Sequence, residues 1–272
     1  KRIKSKTNTK TIQYVCPQFW AWRKRRASRF KNYLDHIYSI FPFEEKLLAK
    51  EDMSSSFTGH PLAEHFEIDV DKREFKSKMS LNSKKIYIAL LPGSRKSELK
   101  NHLKILEKVA SSYFSSNPNY HFIISLTEDN SISETRYLKK ENITLIKGNT
   151  REVLKACDYA IVSSGTATLE AMLSKTPFCV IYKSNSISNF IITNLLLQLD
   201  FISLPNILAN KKIVPELRQS DLKTEKVIKE LNCLIENSNE EMIKEFKILH
   251  QSLINENDNK FSKIIDKLSL EF

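Results

Sequence analysis

At 272 residues and 41% apolar content, the chain is long enough for one large domain or two modest ones with real cores. Its formal charge of +11 sits almost wholly at one end: residues 1–50 hold 13 Lys/Arg against 3 Asp/Glu, and the other 222 hold 30 against 29. A near-neutral body argues against nucleic acid as a partner, because phosphate binding calls for positive charge spread over a groove or face. Four scattered cysteines without a CxxC pair fit reduced, buried thiols of a cytoplasmic protein better than disulfides or zinc.

The basic lead, residues 1–10, has no apolar segment behind its charges, which argues against a signal peptide, and no apolar run approaches the ~18 residues of a membrane span. A start at Lys1 rather than Met reads as a truncated N-terminus. Residues 11–15 read as a strand, 20–38 as a helix with Trp22, Arg26, Phe30 and Tyr33 about one turn apart, and 37–41 as a strand closed by Pro42. Residues 43–50 read as a helix with an acidic start. A break follows at 57–61, then a polar stretch at 69–83 without strong periodicity, so a domain boundary is expected between 59 and 84.

From residue 85 the chain alternates. Apolar strands are expected at 85–91, 121–126, 143–146, 159–162 and 178–182, separated by helices at 99–114, 133–140, 150–157 and from Thr166. That alternation predicts a parallel sheet with helices on both faces, a Rossmann-like α/β domain that binds ligands at the carboxyl ends of its strands. Beyond Tyr182, residues 188–199 read as an apolar helix, 203–206 as a turn, and 224–236, 240–255 and 261–268 as three closing helices.

Only four glycines occur where average usage of about 7% would give roughly nineteen, so each is expected where the backbone demands it. Gly165 joins the strand at 159–162 to the helix from Thr166, and the cluster Ser164, Gly165, Thr166 and Thr168 delivers free N–H groups and a helix dipole to one point. That is either a phosphate seat or an ordinary capped βα turn. Glu170, one turn past Thr166, can accept hydrogen bonds from the vicinal hydroxyls of a ribose whose phosphates rest on those N–H groups. The turn Pro92–Gly93–Ser94–Arg95 adds a hydroxyl and a planar guanidinium able to grip phosphate in bidentate fashion. Walker and GxGxxG loops are absent, residues 97–100 match SxxK without its partner motifs, and His60 and His65 have the wrong spacing for a helical zinc pair, so no metal site is expected. Phe19, Trp20, Trp22, Phe30, Phe41 and Phe43 among the N-terminal charges read either as a surface for anionic lipid or acyl chains, or as core aromatics beside a solvated charge run.

In chain order, Tyr-Val-Cys-Pro-Gln-Phe-Trp-Ala-Trp-Arg at 14–23, Phe-Pro-Phe-Glu at 41–44, Gly-His-Pro-Leu-Ala at 59–63, Leu-Leu-Pro-Gly-Ser-Arg at 90–95, Ser-Gly-Thr-Ala-Thr-Leu-Glu at 164–170 and Ser-Leu-Pro-Asn at 203–206 stand out. This set resembles lipid-A-disaccharide synthases, glycosyltransferases of the GT-B architecture, and Pro-x-x-Trp-Ala-Trp is specific to that family. The resemblance implies a Rossmann-like UDP-sugar domain at 61–220, the remnant of a second Rossmann-like, acceptor- and membrane-facing domain at 1–60, and closing helices at 221–272. It implies an inverting transfer without metal or cofactor. 2,3-Diacylglucosamine passes from its UDP derivative to 2,3-diacylglucosamine 1-phosphate, giving UDP and a β-1,6-linked disaccharide for lipid A. By position, Gly93, Ser94, Arg95, Ser164, Gly165, Thr166, Thr168 and Glu170 would hold UDP, with Arg95 stabilising the leaving phosphate, while Asn206, Glu216 and Gln219 would line the cleft. Trp20, Trp22, Arg23, Arg25 and Arg26 would face the acceptor and the inner face of the inner membrane, in a peripheral association that allows a homodimer. The chain departs from the family in lacking the Gly-Ile-Asp-x-Pro-Asp-Phe-Asn segment whose aspartate is proposed as the general base, and in carrying Cys16 where serine is usual. Turnover is therefore expected to need that missing segment. A UDP-binding module without turnover remains an alternative. So does a UDP-sugar 2-epimerase with the same double-Rossmann plan, against which the Trp-Ala-Trp segment counts.

Overall fold

The computed structural model describes residues 6, 7, 9–17, 30–128, 141–183 and 200–255, in two units: 1–66 with 249–272, and 67–248. The helices expected at 133–140, 188–199 and 261–268 lie outside the described residues, as do Trp20, Trp22, Arg23, Arg25 and Arg26.

In the first unit, β1 (Ile12–Tyr14), β2 (His36–Ser39) and β3 (Ser55–Phe57) form a parallel three-stranded sheet in the order β1-β2-β3. Helix α1 (Pro42–Ala49) connects the last two strands and buries Leu48 against Ile37, Met53 and Cys16. The helix expected over 20–38 cannot reach Tyr38, because β2 begins at His36. Hydrogen bonds to the start of β1 turn the chain out of it: the Asp35 carboxylate accepts from the Thr11 N–H at 2.7 Å, and the Asp35 N–H donates to the Thr11 carbonyl at 2.8 Å. A short helix α2 (Pro61–Glu64) follows, with His60 Nδ1 accepting from the Leu62 N–H.

The second unit opens with α3 (Lys72–Lys78), in the stretch expected to lack periodicity. Seven residues are too few to display a stripe. The helix is started instead by Asp71, whose carboxylate accepts from the Arg73 N–H at 2.9 Å. Then come β4 (Ile86–Leu91), α4 (Lys96–Ser116), β5 (Tyr120–Leu126), β6 (Ile143–Lys147), α5 (Thr150–Ala156), β7 (Tyr159–Ser163), α6 (Thr166–Leu173) and β8 (Phe178–Tyr182). Residues expected as a turn at 203–206 instead start a helix, α7 (Leu204–Ala209), because Pro205 lies in the first turn, where its missing N–H costs nothing. An unexpected short strand, β9 (Glu216–Arg218), precedes α8 (Thr224–Glu236) and α9 (Glu240–Leu253).

All six strands pair in parallel, in the order β6-β5-β4-β7-β8-β9. Central strands of such a sheet are covered on both faces and so carry continuous apolar runs, as in Ile86–Leu91 and Tyr159–Ser163. Leu99, Leu103, Leu106, Val109 and Ala110 of α4, with Val227, Leu231 and Leu234 of α8, cover one face over Ile88, Leu90, Phe122, Ile124 and Ile161. Alternation along the strands turns Ala89, Ile123, Ala160 and Val180, all fully buried, to the other face. Going outward, β4, β5 and β6 run one way and β7, β8 and β9 the other, so the winding reverses between β4 and β7. At such a reversal the loops leaving the carboxyl ends of adjacent strands diverge and open a crevice. Among the described residues, all four cysteines are free thiols, and burial raises Cys16, Cys157 and Cys179 to about 12.

Candidate functional site

Both glycine turns singled out in the sequence leave the sheet at this reversal. A cavity of about 300 Å3 opens there, lined by Gly93, Ser94 and Arg95 after β4, by Ser164, Gly165, Thr166 and Glu170 after β7, and by Ser125, Thr127 and Thr150 beside them. Gly93 has φ +108°, and a Cβ there would fall 2.3 Å from Glu98 Oε2. Gly165 has φ +130° with nothing within 4 Å of a Cβ, so here the backbone conformation, not crowding, selects glycine.

Each turn leads into a helix whose first N–H groups lack partners within the helix. At α4 the Glu98 carboxylate, in the first turn, reaches back to the N–H groups just before the helix. Its Oε2 accepts from the Ser94 N–H at 3.1 Å and the Arg95 N–H at 3.3 Å, while Oε1 accepts from Arg95 Nη1 at 2.8 Å. The Arg95 side chain is 80% exposed, so its guanidinium reaches solvent at the cavity mouth. On the opposite wall, the Glu170 side chain is 21% exposed, with Arg151 Nε 3.8 Å from Oε1. Burial pushes the Glu170 carboxyl above the usual range, and Arg151 pulls it back only in part. The cavity thus sets the exposed Arg95 guanidinium, paired with Glu98, and the largely desolvated Glu170 carboxylate, beside Arg151, around a floor of hydroxyls and glycine backbone. That arrangement suits a ligand with an anionic centre and a neutral polyhydroxylated end.

Other expected site residues bond to protein atoms. Thr168 is fully buried, its Oγ1 donating to the Gly165 carbonyl at 2.7 Å and accepting from the Leu204 N–H at 3.1 Å. Ser164 lines the cavity, but its Oγ donates to the Ile202 carbonyl at 2.8 Å. Asn206 is fully buried: Oδ1 accepts from the Ile213 and Val214 N–H groups, and Nδ2 donates to the Val214 carbonyl and Glu216 Oε1. Glu216 also accepts from the Ile202 and Ser203 N–H groups, the Ser203 hydroxyl and Arg218. Asn206 and Glu216 therefore knit α7 to β9, outside the cavity lining. Gln219 follows β9 with φ +47°, two strands away from β7 and likewise outside that lining.

Sequence reasoning missed Glu98, Arg151 and the hydroxyls of Ser125, Thr127 and Thr150. Glu98 had a legible signal, an acid at the third position of a helix entered through a glycine turn. Ser125 and Thr127 meet the site because β5 pairs with β4, and Thr150 and Arg151 because β6 pairs with β5; no local pattern encodes those pairings.

The family model described as lipid-A-disaccharide synthetase matches residues 1–265. Lipid-A-disaccharide synthase of Idiomarina loihiensis is 36% identical over 253 residues, covering 91% of this chain and 66% of the relative. Lipid-A-disaccharide synthase 1 of Legionella pneumophila strain Lens is 34% identical over 258 residues, covering 93% and 67%. The chain thus spans about two thirds of the length of these relatives. Among solved structures, UDP-GlcNAc 2-epimerase from Neisseria meningitidis bound to UDP-GlcNAc aligns with TM-score 0.57 at 14% identity, covering 88% of this chain and 62% of that one. The glycotransferase of kitacinnamycin aligns with TM-score 0.54 at 13% identity, covering 96% and 69%. A glycosyltransferase from Rickettsia africae aligns with TM-score 0.53 at 12% identity, covering 98% and 71%. At these identities the likeness is one of fold, and the fold is α/β of the GT-B class.

Proposed function

The chain belongs to the lipid-A-disaccharide synthetase family, and we propose that its second unit holds the UDP end of the donor in the transfer of 2,3-diacylglucosamine from its UDP derivative to 2,3-diacylglucosamine 1-phosphate. The observation that carries this reading is the cavity at the strand reversal, with the Arg95 guanidinium on one wall and Glu170 on the other. The diphosphate meets Arg95 and the free N–H groups at Gly165 and Thr166, and the ribose hydroxyls donate to Glu170. As the acceptor hydroxyl attacks the anomeric carbon and the bond to the β-phosphate oxygen breaks, the charge left on UDP grows. A guanidinium and a helix N-terminus that meet that growing charge stabilise the transition state more than the ground state. Thr168, Asn206 and Glu216 serve this site by fixing the turn at Gly165 and the corner between α7 and β9. The transferase reading is favoured over a UDP-sugar 2-epimerase, because synthases of this family are 34–36% identical and the epimerase likeness lies at 14%.

Isothermal titration with UDP tests the reading: one site per chain is expected, competed by UDP-sugars and not by CMP. A chain that takes up no UDP would overturn it. Association with an anionic membrane surface through the basic, aromatic segment within 1–50 is part of the same proposal, supported by the charge concentrated there. Co-sedimentation with anionic vesicles that weakens steeply with salt is its expected signature.

Glu170 carries a second expected outcome. Its folded-state carboxyl is raised. The stability that protonation contributes is therefore complete below the ordinary glutamate value and lost as pH rises through the raised one. At neutral pH the charge is a net cost to the fold, held in place for binding. Glu170→Gln is expected to raise the melting temperature at pH 7 while weakening UDP binding about tenfold, the loss of one charge-assisted hydrogen bond. In the unaltered chain, UDP affinity should fall as pH drops through the raised value. A variant that loses both stability and affinity would contradict this account.

A further inference from the structure

His102 occupies a position on the inward face of α4 where Leu99, Leu103 and Leu106 set an apolar pattern, and it is fully buried. Its ring reaches two backbone groups on different strands. Nδ1 lies 2.7 Å from the Pro92 carbonyl, immediately after β4, and Nε2 lies 3.1 Å from the Lys183 N–H, immediately after β8. These partners fix the tautomer without appeal to resolved hydrogens. A backbone N–H can only donate, so Nε2 accepts, and a carbonyl can only accept, so Nδ1 carries the proton. The neighbouring Asn101 Nδ2 donates to the Lys183 carbonyl at 3.2 Å, so two consecutive side chains of α4 hold both polar groups of one residue.

β4 and β8 are not paired; β7 lies between them. Within the sheet nothing but β7 relates their carboxyl ends, and β7 itself leaves through Ser164, whose N–H donates to the Ile181 carbonyl at 3.1 Å. The His102 ring therefore links the loop after β4 to the strand on the far side of the Gly165 turn. Pro92 is one residue from Gly93, which is left-handed, and three from Arg95. Displacing that carbonyl displaces the turn that aims the guanidinium.

We propose that His102 is a positioning residue of the donor site: its neutral imidazole, bridging Pro92 and Lys183, sets where the Gly93–Arg95 turn stands relative to the end of β8 and hence to the Gly165 turn. The proposal rests on the UDP reading of the cavity. It adds a residue that touches no ligand and acts through backbone. The charged groups facing the ring are Glu98, one turn earlier on α4, and the Lys183 side chain after β8. Protonation of Nε2 would remove the acceptor that the Lys183 N–H has among the described residues, and burial favours the neutral ring.

His102→Leu keeps the bulk and deletes both bonds, while His102→Gln keeps a donor and an acceptor on one side chain. Amide hydrogen exchange of the free chain and UDP titration are read together on both variants. His102→Leu is expected to speed exchange at Lys183 and at residues 93–95 by tenfold or more, with the strand interiors of β5 and β7 unchanged, and to weaken UDP binding about tenfold. His102→Gln is expected to return both to within about threefold of the unaltered chain. Long-range proton–nitrogen spectra should show Nε2 unprotonated at pH 7. Unchanged exchange at 93–95 in His102→Leu, a uniform rise across the whole sheet that Gln does not reverse, or a protonated Nε2 would each overturn the proposal. If the unaltered chain fails to bind UDP, the donor reading falls, and the exchange pattern still decides whether His102 positions the turn.

Discussion

Replacing Arg95 by alanine is expected to weaken UDP binding about thirtyfold with little change in melting temperature. A charge-assisted hydrogen bond contributes ~1.5–3 kcal/mol. The side chain is 80% exposed, so solvent screening brings the expectation to about 2 kcal/mol, which is about thirtyfold. The size of the loss depends on Glu98. In the free chain that carboxylate already occupies the Ser94 and Arg95 N–H groups and pairs with the guanidinium. Without Arg95 it stands as an unneutralised anion beside the diphosphate. Glu98→Gln added to Arg95→Ala should therefore recover part of the affinity, a non-additivity that a double-mutant cycle reads directly. Arg95→Lys should recover less than half, because an ammonium restores the charge without the two-pronged geometry. Binding of Arg95→Ala within threefold of the unaltered chain would remove Arg95 from the diphosphate site.

The parts of this site that were legible in the sequence share one property: each is encoded within a few consecutive residues. A strand, a glycine and a helix cap can be read at 159–173, and another glycine turn with an arginine at 91–96, because apolar β-branched runs and a residue without Cβ leave local marks. Chain alternation further implied a parallel sheet, and a parallel sheet implied a site at the carboxyl ends. Strand order was not legible. Only the order β6-β5-β4-β7-β8-β9 makes the two glycine turns neighbours, and it follows from which crossovers pack best, a property of whole helices. Asn206 and Glu216 illustrate the other limit. The resemblance places both in the cleft, and in the structure the same groups satisfy backbone donors and acceptors that the corner between α7 and β9 would otherwise bury unpaired, a role no local pattern shows. Residues 55–57 and 216–218 were missed as strands because three residues are too few to show alternation, and pairing with β2 and β8 imposes their extended form.

The amino ends of the same strands hold an arrangement of the opposite kind, and there the largest stability effect is expected. Asp158, just before β7, accepts from Lys76 Nζ at 2.9 and 2.8 Å and from the Tyr87 N–H at 2.8 Å. The Lys76 side chain is 11% exposed. Nearby, Lys72 is half-buried, its ammonium donating to the Cys157 carbonyl and to Thr176 Oγ1, and desolvation lowers it to about 8 against the partial support of Asp158. One carboxylate thus pairs with the buried Lys76 and a strand N–H, and its charge supports the half-buried Lys72. Asp158→Ala removes all three compensations at once and is expected to cost about 3 kcal/mol, the lower end for breaking a buried pair because Asp158 is itself 26% exposed. For a unit of this size that is a fall of about 6–12 °C in melting temperature. Adding Lys76→Met should return part of it, since a buried cation without a partner costs more than an apolar side chain in its place. The pH dependence follows from Lys72. Its folded value lies below the ordinary lysine value of 10.5, so folded stability is diminished below about 8 and gained as pH rises from there toward 10.5. The deficit of Asp158→Ala should accordingly shrink above pH 8, where Lys72 can shed its proton. A melting temperature within 2 °C of the unaltered chain, or a deficit that grows with pH, would show that α3 is held to the sheet by its apolar contacts rather than by this carboxylate.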